Sequence, residues 1–272
     1  MLKKSFQIIK SNPVIILFYA AYLAITVMIL LMLYPKSFGP ETYIREGMFD
    51  FSLYMIVMGK ILLAGFLMFV IGLFYLSGYG NVIRVAVVTG KASASSFLAG
   101  IKHFFVRVLL CVLLIVAIVI VGSVLLGLIS IPFTILVVMS GNSSPMVFMI
   151  IVMVVTFLIV LIPTPFVILW LPALFLEDTK VIQSLKLGAK VGKKNYWRLM
   201  FATALLCFPQ FIYMILNYDI ASTGTILSPG YFIILVVMAI LSMIYYVYLF
   251  VLFHEDRLKL TSPDQQTLDS DH

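Results

Sequence analysis

Residues 177–198 read Glu177-Asp178-Thr179-Lys180-Val181-Ile182-Gln183-Ser184-Leu185-Lys186-Leu187-Gly188-Ala189-Lys190-Val191-Gly192-Lys193-Lys194-Asn195-Tyr196-Trp197-Arg198. Six bases fall in this stretch, the most basic interval of the chain, and apolar runs of membrane length lie on both sides of it. Val181 or Ile182, Leu185 and Ala189 make a narrow apolar stripe at helical spacing, while Lys186, Lys190 and Lys194 recur every four residues on another face. This pattern predicts a basic amphipathic helix at a membrane surface. Glu177 and Asp178 are expected at its N-terminus, where acids favour the helix dipole. Tyr196 and Trp197 follow at the depth where amphipathic rings anchor a helix at the interface.

Outward from this stretch the chain is almost continuous hydrocarbon. It has 272 residues, 63% hydrophobic and 11% charged, with a mean hydropathy of +1.18. Soluble domains carry about 45–50% apolar and about 25% charged residues, so a soluble fold is excluded. The net charge of +7 does not point to nucleic acid, because the bases gather at the ends of apolar runs, as the positive-inside rule expects. Cys111 and Cys207 sit inside apolar runs, without disulfide or metal spacing. Lys3-Lys4 and the run from Pro13 resemble a signal peptide, but the run continues to Tyr34 without a small-residue cleavage site and reads as a retained first span.

The expected fold is an all-α integral membrane protein with six spans. They form three hairpins, at about 13–76, 105–175 and 198–253, within a membrane domain of residues 1–257. Residues 258–272 make a polar tail, part of a polar tract from His254 in which Thr261-Ser262-Pro263 and the residues after it read as disordered. Ser77-Gly78-Tyr79-Gly80-Asn81 is expected to end the second span, Ile131-Pro132 to end or kink the third, and Pro163-Thr164-Pro165 with Pro172 to distort the fourth. The N-terminus, the 77–107 and 177–198 intervals and the tail hold the bases, whereas the opposite loops hold only Lys36 and Arg45. Both termini are therefore expected to be cytoplasmic. An internal repeat is also expected, each copy a short interfacial helix followed by a hairpin. Ser5-Phe6 with Lys10, Ser96-Phe97 with Lys102, and Ser184-Leu185 with Lys190 correspond, the serines 91 and 88 residues apart.

Two stretches carry a resemblance. The first is Leu76-Ser77-Gly78-Tyr79-Gly80 with Arg84, Gly90-Lys91, Phe97 and Gly100 to Phe104. The second is Leu171-Pro172, Phe175-Leu176-Glu177-Asp178, Ser184-Leu185, Asn195 and Trp197-Arg198. Together they resemble a broad group of bacterial six-span proteins of unknown function, similar to the membrane domain of some glycerophosphodiester phosphodiesterases. Ser95-Ser96 departs from that pattern, which often has an acid before the position of Phe97. The catalytic barrel of the phosphodiesterases has no counterpart, so the resemblance implies architecture rather than activity.

Signs of enzymatic chemistry are sparse. HExxH, GxSxG, P-loop and CxxC motifs do not occur, and His103, His254 and His272 have no metal-ligand partner at helical spacing. No catalytic residue, metal or cofactor is expected. Glu177-Asp178 and Glu255-Asp256 offer a cation or amine site, or else capping and pairing with Lys180, Arg257 or Lys259. Lys60 lies inside a span, at an insertion cost of about 2.5–3.5 kcal/mol; it snorkels to the outer surface or marks an interior site. Gln210, Thr156 and Thr164 are the other intramembrane polar candidates, lining a cleft or bonding neighbouring helices. Lys186, Lys190, Lys193, Lys194 and Arg198 are candidate contacts for lipid headgroups, at about 1 kcal/mol per base near an anionic surface.

The functional expectation is a non-enzymatic multi-pass protein of the cytoplasmic membrane. It would handle or sense a lipid or amphiphile, or support a membrane complex. Its expected partners are a bilayer with anionic lipids and a membrane protein of unspecified identity, not nucleic acid. The alternatives are a small-solute transporter or transporter subunit, and an immunity protein against membrane-active peptides.

Overall fold

The computed structural model describes residues 1–33, 44–45, 48–140, 157, 161–216 and 229–261. Apart from one two-residue β pair, its elements are helices. Four are long and apolar enough to cross a membrane: Pro13–Leu33, Phe51–Thr89, Ala94–Gly122 and Val236–Leu258. No more than 33% of the apolar stretch of each is buried within the chain, and side chains such as Met32, Leu62 and Ile118 are exposed. That surface suits a hydrocarbon solvent and would be unstable in water.

The chain forms two compact units, one of Met1–Phe105 with Ala204–His272 and one of Val106–Thr203. The first begins with α1 (Leu2–Ser11) and α2 (Pro13–Leu33). Next, β1 (Ile44–Arg45) pairs antiparallel with β2 (Met48–Phe49), between the first two spans. Asp50 then caps α3 (Phe51–Thr89), its Oδ1 accepting from Leu53 N at 2.9 Å. Ser77–Asn81 does not end this helix. It continues to Thr89 and stops at Gly90, whose φ of 81° suits glycine.

The 77–81 segment is instead where helices touch. Residues 77–83 are buried on every face. A Cβ on Gly100 would stand 2.5 Å from Asn81 Cβ and 2.7 Å from the Ser77 carbonyl oxygen, and one on Gly78 would stand 2.6 Å from the Phe97 ring. Asn81 Nδ2 also donates to Ser96 O at 2.7 Å. These contacts clamp α3 to the start of α4 (Ala94–Ser140). The expected surface helix at 97–104 and the third span are thus one continuous helix. The helix does not end at Pro132.

Asn12 separates α1 from α2 and holds the next turn. Its Nδ2 donates to Ile8 O at 2.9 Å and to Gly90 O at 3.1 Å, and its Oδ1 accepts from Ala92 N at 2.7 Å. α2 and α3 run antiparallel, since Tyr19 meets Tyr79 at 5.9 Å and Tyr22 meets Tyr75 at 4.0 Å. The last helix, α9 (Pro229–Thr261), is buried on all faces over residues 247–253. α1 packs on it through Ser5 and Ile9, and Lys4 Nζ bonds Glu255 Oε1 at 3.0 Å. Residues 254–261, the start of the polar tract, continue this helix; residues 262–272 lie outside the described residues.

The second unit holds α5 (Thr164–Val167), α6 (Trp170–Leu176) and α7 (Val181–Lys194), and α8 (Tyr196–Leu216) begins within it. The expected distortion at Pro163–Pro165 is present as two short helices joined by a turn. Nearly half of the expected fourth span, 146–156 and 158–160, lies outside the described residues.

Replacing Gly100 with Ala is expected to cost about 1–3 kcal/mol, because backbone stands where the methyl must go. At Gly59 a Cβ meets nothing within 4 Å. Gly59→Ala should leave stability unchanged or raise it by up to about 1 kcal/mol. Thermal melts of the two variants in one detergent check the contrast; equal melting points would contradict glycine-mediated contact at Gly100.

Candidate functional site

The 177–198 stretch forms a helix that docks by its small residues. Ser184, Gly188, Val191, Gly192 and Asn195 are buried. A Cβ on Gly188 would stand 2.9 Å from the Leu169 carbonyl carbon and the Trp170 nitrogen, and one on Gly192 would overlap the Pro165 carbonyl. Trp170 Nε1 donates to Val181 O at 2.9 Å, and Ser184 Oγ donates to the same carbonyl at 2.7 Å. The predicted stripe of Val181 or Ile182, Leu185 and Ala189 is not the buried face. Ile182 is 65% exposed, and Val181, Leu185 and Ala189 are half-buried. The smaller face wins because only glycine and serine let two backbones approach this closely.

Lys186, Lys190, Lys193, Lys194 and Arg198 are exposed. At about 100° per residue the four lysines lie roughly opposite the buried face, with the apolar stripe beside them. α7 thus has three faces: small and docked, apolar and half-exposed, basic and exposed. Trp197 is 74% exposed, as an interfacial anchor would be. Tyr196 does more than anchor. Its hydroxyl donates to Ile162 O at 3.3 Å, near the proline break, and its ring meets Phe166 at 5.6 Å. Broken helices leave carbonyls without N–H donors, and Tyr196 supplies one.

The acidic pair does not cap α7. The helix starts at Val181 with no acid in its first turn, and Glu177 ends α6. Asp178, at φ 48°, pairs through its carboxylate and its carbonyl with Arg107 Nη1. Glu255 pairs with Lys4. Both contacts tie acids to bases distant in sequence. Among the described residues no group of acids, histidines and cysteines has metal-binding geometry.

Lys60 is exposed on α3, Thr164 is half-buried at the start of α5, and Gln210 follows Pro209 within α8. Thr156 lies outside the described residues.

Sequence reasoning missed a tyrosine cluster in the first unit. Tyr75 stacks on Tyr22 at 4.0 Å and on Tyr79 at 4.8 Å. Tyr19 meets both Tyr75 and Tyr79, and Tyr246 meets Tyr79 at 6.1 Å. The only sequence signal was Tyr19 and Tyr22, three apart on α2, matched by Tyr75 and Tyr79, four apart on α3.

Gly192→Ala is expected to loosen α7. Easing its undocking by about 1.4 kcal/mol would speed tryptic cleavage at Lys186–Lys194 about tenfold. Cleavage at the wild-type rate would contradict tight backbone docking.

No family model, no curated protein and no solved structure matches the chain.

Proposed function

We propose that this is a non-enzymatic membrane protein that captures anionic lipid headgroups on the basic face of α7, and so handles or senses lipid. The observation that carries this reading is the arrangement of α7's faces. Docking buries Ser184, Gly188, Val191, Gly192 and Asn195, so four lysines and Arg198 stay exposed beside a half-exposed apolar stripe whose Ile182 is exposed. A surface helix of this kind offers hydrocarbon contact and positive charge to the same lipid.

The protein is read as six spans with both termini cytoplasmic in a bacterial cell membrane, like the six-span group its motifs resemble. The Lys4–Glu255 contact supports this, since it holds α1 beside the far end of α9. α8, with 21 residues, is of a length to add a further crossing. An internal repeat fits as well: Ser5 and Ser184 are both fully buried, and α1 and α7 both end at an asparagine, Asn12 and Asn195.

The test is the lipid that accompanies the protein through purification in mild detergent, measured by mass spectrometry. Wild-type protein should be enriched in anionic phospholipid over the source membrane. A variant with Lys186, Lys190, Lys193 and Lys194 all changed to Gln should lose at least about tenfold of that enrichment, at about 1 kcal/mol per base. Its melting point should hold, because all four side chains are exposed. Undiminished enrichment would end the headgroup reading.

A further inference from the structure

We infer that the tyrosine cluster of the first unit binds a neutral oxygen acceptor through the hydroxyls of Tyr75 and Tyr79, supplied by water or by the ester carbonyl of a phospholipid. This inference is independent of the basic face of α7.

Tyr75 is 9% exposed and Tyr79 1%. The hydroxyl oxygen of each is buried and has no hydrogen-bond partner. The two rings stack at 4.8 Å and 20°, and the described residues present neither hydroxyl with an acceptor of good geometry. Buried hydroxyls are nearly always bonded, and a pair left without acceptors inside an apolar bundle is costly. Neither phenol is needed to fill space as a phenol, since phenylalanine has almost the same shape. Two such hydroxyls side by side therefore point to an acceptor that arrives from outside the chain.

The surroundings define that acceptor. The rings that meet Tyr75 and Tyr79 belong to Tyr19, Tyr22 and Tyr246, all uncharged phenols. A charged ligand would find no counter-ion among them, and charge without a counter-ion is expensive in such a setting. Depth agrees with a neutral oxygen. Tyr79 and Tyr75 precede Arg84 by five and nine residues, about 7.5 and 13.5 Å along the helix. Arg84 itself sits over the Phe104 ring at 5.6 Å. The hydroxyls are thus a few turns inward of a charged residue, where water penetrates as single molecules and the oxygens of lipid are ester carbonyls.

The experiment is a set of melts of Tyr75→Phe, Tyr79→Phe and the double variant in nanodiscs. With the acceptor bound, each single change should lower Tm by roughly 2–4 °C, and the double change should lower it at least as far as either one. A rise in Tm on single substitution would mean that the hydroxyls are merely unsatisfied, and would overturn the proposal. A double variant that returns to the wild-type Tm would mean that they bond only each other, and would overturn it equally. Nanodiscs of ester and ether phospholipids with the same headgroup separate the two sources. A Tyr-dependent stabilisation that disappears in ether lipid identifies the lipid carbonyl; one that persists in both identifies water.

Discussion

Close backbone approach at glycine is the contact on which both units depend. Inside a bilayer, packing apolar side chains together gains little, because lipid tails are as apolar as leucine. Helices must be held by van der Waals contact between surfaces that fit closely and by hydrogen bonds with few competitors. Gly78 and Gly100 bring α3 and α4 together, and Gly188 and Gly192 bring α7 onto α5 and α6. The hydrogen bonds sit beside these contacts, from Asn81 to Ser96 and from Trp170 to Val181. Asn12 does the same for the turn at Gly90, where its side chain satisfies one carbonyl and one N–H of a backbone that leaves helical geometry.

This constraint explains what the sequence revealed and what it hid. Membrane character and the start of the first span at Pro13 were legible, because length and hydropathy are read directly from composition. The break at Pro163–Pro165 was legible because proline lacks the donor a helix requires. The buried face of α7 was not. An apolar stripe marks the core side in water, but in a membrane it marks an open side. The packing signal lay instead in Ser184, Gly188 and Gly192, spaced four apart. Ser77–Asn81 misled for a related reason: glycines that end helices in water serve here as contact points within one. The acids at 177–178 misled because the partner of Asp178, Arg107, is 71 residues away. Of the candidate site, the lysines of α7 were legible as a surface charge pattern, while the tyrosine cluster needed three helices to be assembled.

Docking by small residues has a functional consequence. A helix that buries a wide apolar face has little left to offer a ligand. α7 buries mainly serine and glycine, so its lysines remain exposed and its apolar stripe, led by Ile182, remains partly open. The exposed Trp197 continues that open surface, whereas Tyr196 is drawn inward to bond the Ile162 carbonyl. Structure and surface chemistry are thus divided between different faces of one short helix, which lets charge change without loss of packing.

The most direct measurement is labelling by a membrane-impermeant thiol reagent in right-side-out and inverted vesicles, on a Cys111→Ala/Cys207→Ala background. Cysteines would be introduced singly at Lys3, Arg45, Ser184, Lys190 and Leu258. Positions 3, 190 and 258 should label only in inverted vesicles and position 45 only in right-side-out ones, while position 184 should label slowly in both because it faces backbone. Labelling of position 190 from the outer side, or equal rates at 184 and 190, would contradict a docked, cytoplasmic, lipid-facing α7.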